Sequence, residues 1–245
     1  MTQPAPMSSA ASVSAPQSLR TLFADISSDQ RVFKNVPWAK VMMWVFLLGD
    51  VFIFGSFLIG YMNVRISTQV PWPHPTEVFA LTVGGKEIPL LLVAVMTFVL
   101  TSSCGTMSLA VGYGYQRDRQ KALLWLLITA LLGASFVGMQ AIEWTKLIHE
   151  GVRPWANPMG AAQFGASFFL ITGFHGTHVT IGVIFLLITA LKIGRGDLEN
   201  MRPGFMTGRK GGYEIVEIMS LYWHFVDLVW MFIFPLVYLM SAKII

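Results

Sequence analysis

Five stretches of this chain are each long enough and apolar enough to cross a bilayer, and nothing else in the sequence limits the fold as strongly. They run over Trp38–Val64, Ile88–Gly112, Ala122–Leu147, Phe164–Lys192 and Glu214–Ala242. A spanning helix needs about 20 consecutive, mostly apolar residues, and each run meets that length. Charge agrees: 12% of the residues are charged, against roughly 25% in a soluble domain. The expected fold is an all-α membrane protein with five transmembrane helices in a bundle. Residues 37–245 form this membrane domain. Residues 1–36, rich in Pro, Ser and Ala at the start and polar later, read as a disordered cytoplasmic segment.

The basic residues set an orientation. Lys and Arg concentrate in cytoplasmic loops. Twelve of the 17 fall in the N-terminal segment and in the loops after the second and fourth runs. The N-terminus is therefore expected inside and the C-terminus outside. The two loops on the outer side, "VPWPHP" and "VRPWANP", read as compact turns. The inner loop "IGRGDLENMRPGFMTGRKGG" is basic and Gly-rich, suited to anionic headgroups or a partner subunit. No nucleotide-binding fingerprint is present, and no nucleic-acid partner is expected. The single cysteine, Cys104, allows no internal disulfide and reads as a packed, inert thiol.

Ionisable groups inside spanning helices are costly and mark structure or function. Here they are Asp50, Glu143, His175, His178, Glu217, His224 and Asp227. At ~1.5 Å rise per residue from the inner ends, Asp50, His178, His224 and Asp227 lie about 18, 21, 15 and 20 Å deep. Four polar groups from three helices thus share one layer and could pair. His175 and His178 share a face at i, i+3, as do His224 and Asp227. Gln140 precedes Glu143 by three near the outer end of the third run. Glu217 stands in the first turn of the fifth, where a carboxylate suits the helix dipole. Three readings compete for this layer: haem or copper ligation, a carboxylate–imidazole proton relay, and buried pairs that fix helix register. A two-haem cytochrome needs two histidine pairs that each bridge two helices, and three intramembrane histidines on two helices make a poor frame for it. The residues leave the relay and the structural reading open.

Two motifs carry a resemblance. "GFHGTHV" at 173–179 and "YWHFVDLVW" at 222–230, in that order on adjacent helices, resemble subunit III of the haem–copper oxidases. "GDVFIFGSFLIGYM" resembles the family's helix with an intramembrane carboxylate, and "GMQAIEW" its Gln-x-x-Glu segment. The likeness spans about 41–240. Many members have seven helices. Five runs resemble the shorter form of bacterial quinol oxidases, which lacks the pair that lines a lipid-filled cleft.

The resemblance implies a non-redox accessory subunit of a proton-pumping terminal oxidase in a bacterial cytoplasmic membrane. It implies no catalytic, metal or cofactor site in this chain, with haem and copper held by partner subunits. The implied partners are catalytic subunit I, subunit II and bound phospholipid, with support of sustained turnover and proton uptake. Asp50 falls where the family has a carbodiimide-reactive carboxylate. Lys192 falls where many members have a lipid-binding Arg, and Glu217 matches a Glu seven residues before the motif histidine. Together with Lys192, Glu217 is a candidate for lipid headgroups. The remaining candidates, His175, His178, His224, Asp227, Gln140 and Glu143, form a polar belt. Two alternatives are a homologue associated with nitric oxide reductase and, from another class, an independent membrane cytochrome or transporter.

Overall fold

The computed structural model describes residues 38–74, 78–83, 86–196 and 213–240. The N-terminal segment and most of the basic loop between the fourth and fifth runs lie outside the described residues. Five helices carry the fold: α1 Trp38–Ser67, α2 Leu91–Tyr115, α3 Arg119–His149, α4 Ala162–Arg195 and α5 Glu214–Ile233, the last continued by a π-helical turn over Phe234–Leu239. All five are long and apolar enough to span a membrane. Between α1 and α2 a short antiparallel ribbon pairs β1 Ala80–Val83 with β2 Lys86–Pro89. The second helix consequently starts at Leu91 and not at Ile88. Ile88 and Pro89 belong to the ribbon, and Leu90 takes a left-handed φ of 59° where the strand turns into the helix.

The packing order follows the connections. Three residues, Gln116 to Asp118, separate α2 from α3, so these helices form a tight antiparallel hairpin. Asp118 caps α3 by accepting the Lys121 amide at 3.2 Å, and its carboxylate meets the Lys121 ammonium at 3.0 Å. Those contacts hold the Asp118 carboxyl below the usual carboxylate range. Helix α3 packs next on α4, and α5 closes the group against α2 and α4. Helix α1 lies outside, docked only along the junction of α4 and α5 among the stronger helix contacts. Its most apolar window is 17% buried, against 50% for α5 and its π turn.

Lipid tails are as apolar as leucine, so the hydrophobic effect cannot drive these helices together. Close packing and internal hydrogen bonds must do it. Trp223 shows how. Its indole lies fully buried against Gly133 of α3 and Gly182 of α4. A Cβ at Gly133 would stand 2.4 Å from the indole, and one at Gly182 2.9 Å. Only glycine lets the three backbones converge on that ring. The indole N–H donates to Ser103 Oγ of α2 at 2.9 Å, and two turns further along α5 Trp230 donates to Thr97 Oγ1 at 3.0 Å. Two tryptophans thereby pin α5 to α2 while their rings fill the centre.

The loops after α1 and α3 join each other. The Ala161 amide donates to the Pro71 carbonyl at 3.1 Å, and Trp72 sets its ring edge-on to Tyr61 and Phe164. At the C-terminal end of α5, Pro235 cannot supply an amide to the α-helical ladder. The helix widens there, and Met240 N–H reaches back five residues to the Pro235 carbonyl at 2.7 Å. Within the widened turn, Tyr238 is fully buried.

Candidate functional site

The polar belt divides into three separate groups. In the first, Asp50 of α1 meets His178 of α4, with Oδ2 and Nε2 3.3 Å apart. Both side chains are buried. His178 Nδ1 lies 2.9 Å from the Phe174 carbonyl one turn earlier. A carbonyl only accepts, so Nδ1 carries a proton. Phe54 and Phe174 flank the imidazole, with ring centroids at 5.4 and 4.7 Å. The Tyr222 hydroxyl of α5 donates to the His178 carbonyl at 2.9 Å. The pair joins the peripheral helix α1 to α4, together with the ring contacts of Phe54 and Phe57 on Phe174.

The second group faces the other way. His224 and Asp227 are directed to α2, with no hydrogen bond or ion pair to Asp50 or His178 among the described contacts. His224 Nε2 is 3.2 Å from Ser108 Oγ, and Nδ1 is 2.7 Å from its own helix's Ser220 carbonyl. Asp227 Oδ2 accepts the Cys104 thiol at 3.3 Å. Equal depth therefore did not bring the four groups together. A residue's depth follows from counting along the helix, but its direction depends on how the helix is rotated. Cys104, read as an inert packed thiol, is the donor that Asp227 uses.

The third group lies toward the end of the bundle that carries the β1–β2 ribbon, beside Val78 and Phe79. Glu143 of α3 accepts through Oε2 from Gln140 Nε2 at 2.7 Å and from the Tyr238 hydroxyl at 2.8 Å. The π turn at Pro235 presents Tyr238 to this carboxyl. Pro235 was the sequence signal for it, as a helix breaker inside the fifth run. His175 stands between the first and third groups. It stacks on Trp230 at 5.2 Å, meets Phe136 edge-on at 5.8 Å, and neither ring nitrogen has a hydrogen-bond partner among the described residues.

Of the two candidates for lipid headgroups, Lys192 is exposed in the last turn of α4. Glu217 forms an ion pair with Lys40 at the N-terminal ends of α5 and α1. The pairing was visible in principle as two opposite charges near one membrane face. Among the described residues, no three His, Cys, Asp or Glu side chains gather as a metal-ligand set.

The two sequence motifs form one junction. Segment 173–179 of α4 supplies His175 and His178, and segment 222–230 of α5 supplies Tyr222, Trp223 and Trp230, which touch or flank them. What the arrangement does chemically is to satisfy polar side chains inside a bilayer and hold three helices in one register.

The class defined by this bundle and its motif junction is confirmed by comparison. The family model described as cytochrome c oxidase subunit III matches residues 27–242. A protein of Staphylococcus saprophyticus named probable quinol oxidase subunit 3 is 31% identical over 202 residues, covering 82% of this chain and 89% of its own length. Proteins of the same name from Staphylococcus aureus strains show the same identity and coverage. The chain belongs to the subunit III family of the haem–copper oxidases. It is an accessory subunit III of such an oxidase, a complex that is an oxidoreductase as a whole.

Proposed function

We propose that this chain serves a proton-pumping terminal oxidase of a bacterial cytoplasmic membrane as its non-redox subunit III, with the N-terminus inside and the C-terminus outside. It packs on catalytic subunit I beside subunit II, binds phospholipid at the inner face near Lys192, and stabilises the complex during turnover. Haem and copper belong to the partner subunits. One observation carries this reading. The side chains of the two family motifs pack into each other at the α4–α5 junction, and Asp50 of α1 approaches His178 there at 3.3 Å. Such residues build a rigid membrane scaffold, and a scaffold is what an accessory subunit contributes. The names of the staphylococcal relatives favour quinol as the electron donor of the complex.

The test is purification of the tagged chain in mild detergent. The expected result is co-purification of haem–copper subunits, with a haem content that stays unchanged when His175, His178 or His224 is replaced. An isolated chain with its own haem spectrum would overturn the reading.

A further inference from the structure

The loop between α3 and α4 carries a side chain that the rest of the fold does not use. Trp155 is 76% exposed, while Val152 just before it is fully buried. The backbone around Trp155 is nonetheless fixed. Arg153 and Ala156 exchange both backbone hydrogen bonds: the Arg153 amide donates to the Ala156 carbonyl at 2.7 Å, and the Ala156 amide returns one to the Arg153 carbonyl at 3.2 Å. Pro154 and Trp155 form the corner between them, and the proline ring fixes φ where a turn needs it. The turn rests on the first turn of α4, where a Cβ added at Gly165 would stand 2.3 Å from the Arg153 carbonyl oxygen. Further along the loop, Asn157 Nδ2 donates to the Ala161 carbonyl at 2.9 Å, and Oδ1 accepts the Met159 amide at 3.1 Å. A backbone locked in this way presents Arg153 and Trp155 from a fixed base, so less order remains to be imposed when something binds. Arg153 is exposed and forms no ion pair among the described residues.

The depth of the turn follows from α4. Gly165 and Lys192 bracket a stretch of that helix without Asp, Glu, Lys or Arg, and at ~1.5 Å rise per residue they stand about 40 Å apart. A bilayer measures ~40–45 Å across when both headgroup layers are included. With Lys192 in one headgroup layer, the Arg153–Ala156 turn lies in the other. Tryptophan is enriched at that level, where an amphipathic ring meets both apolar and polar surroundings. The guanidinium in the same turn offers the planar fork of donors that matches a phosphate.

We propose that the Arg153–Trp155 turn is a docking site for an anionic phospholipid of that leaflet, with the guanidinium on the phosphate and the indole at the headgroup level. The site lies at the opposite end of α4 from Lys192. It rests on the helices spanning the bilayer and on neither their orientation nor the identity of any partner subunit. Holding the turn in the headgroup layer sets the height of the loop after α3 and, through the Ala161–Pro71 hydrogen bond, of the loop after α1.

Photo-cross-linking tests it in the full chain, purified with the subunits that accompany it and reconstituted in equimolar phosphatidylglycerol and phosphatidylcholine. A benzophenone amino acid in place of Trp155 should cross-link to phospholipid. Phosphatidylglycerol should be in about fivefold excess among the adducts, the preference that one basic residue near an anionic surface gives. Arg153→Gln should abolish that excess, and Arg153→Lys, which keeps the charge, should retain most of it. The same probe in place of Phe52, 69% exposed in the middle of α1, meets acyl chains and should show neither the excess nor a response to Arg153→Gln. Adducts with a polypeptide in place of lipid would mean that a subunit covers the turn, and adducts with neither would place it in water. Either result overturns the proposal, as does a phosphatidylglycerol excess that Arg153→Gln leaves intact.

Discussion

Asp50→Leu tests what holds α1 in place. The substitution fits the apolar helix but removes the carboxyl that stands 3.3 Å from His178 Nε2 inside the bundle. A buried polar atom that loses its only partner costs about 1–3 kcal/mol. The direct interaction is worth less, because measured interhelical couplings in membranes average ~0.6 and reach ~1.7 kcal/mol. The 3.3 Å separation argues for the lower half of that range. The single substitution should therefore destabilise the chain by about 1–3 kcal/mol. The double substitution Asp50→Leu with His178→Phe should regain about 1 kcal/mol, because Phe keeps the contacts to Phe54 and Phe174 and leaves nothing unpaired. The assay is unfolding of the purified chain in mixed micelles, read for all four members of the cycle. Purely additive effects would refute the pairing. Asp50→Asn separates structure from proton transfer, since its amide donates to Nε2 but cannot titrate. Complexes with Asn should assemble and keep most of their turnover and pumping. Normal assembly with lost pumping would make Asp50 a relay residue and refute the structural account.

Three other outcomes are expected. A reporter fused after Ile245 should be active only on the periplasmic side, and cytoplasmic activity would overturn the orientation. Gly182→Val should lower stability by about 1–3 kcal/mol or more through overpacking against Trp223, while the same change at Gly176, where a Cβ meets nothing within 4 Å, should cost under ~1 kcal/mol in a thermal unfolding assay. Tyr238→Phe removes a donor from the buried Glu143 and should cost about 1–3 kcal/mol, with Glu143→Gln/Tyr238→Phe less than additive in the same assay.

The helices were legible because a spanning run is a property of length and composition that needs no knowledge of neighbours. The fifth run shows the limit. Its apolar length announced a helix, but the widened turn at Pro235 depends on what Tyr238 finds across the interface. Partners were legible only where depth was enough. Asp50 and His178 shared a depth and did meet. His224 and Asp227 shared it too and turned to α2, because helix rotation is set by where Trp223 and Trp230 fit. The ribbon before α2 was not legible, because two strands of four residues are too short to stand out against the apolar run that follows.

The peripheral place of α1 has a consequence for biosynthesis. It leaves the ribosome first, yet its neighbours α4 and α5 come last. Asp50 must wait for His178, roughly 130 residues later, which is on the order of 10 s at ~5–20 residues per second. During that interval a carboxyl in the bilayer costs ~2.5–3.5 kcal/mol on insertion scales, and each Leu, Ile, Phe or Val returns ~0.3–0.6. The many apolar side chains that α1 leaves exposed, from Trp44 through Phe52 to Ile59, outweigh that cost before any partner exists. Nascent chains arrested before α4 should accordingly already hold α1 across the membrane. A helix that must enter alone is built to tolerate lipid on nearly every side, and it keeps that surface after the rest of the bundle arrives.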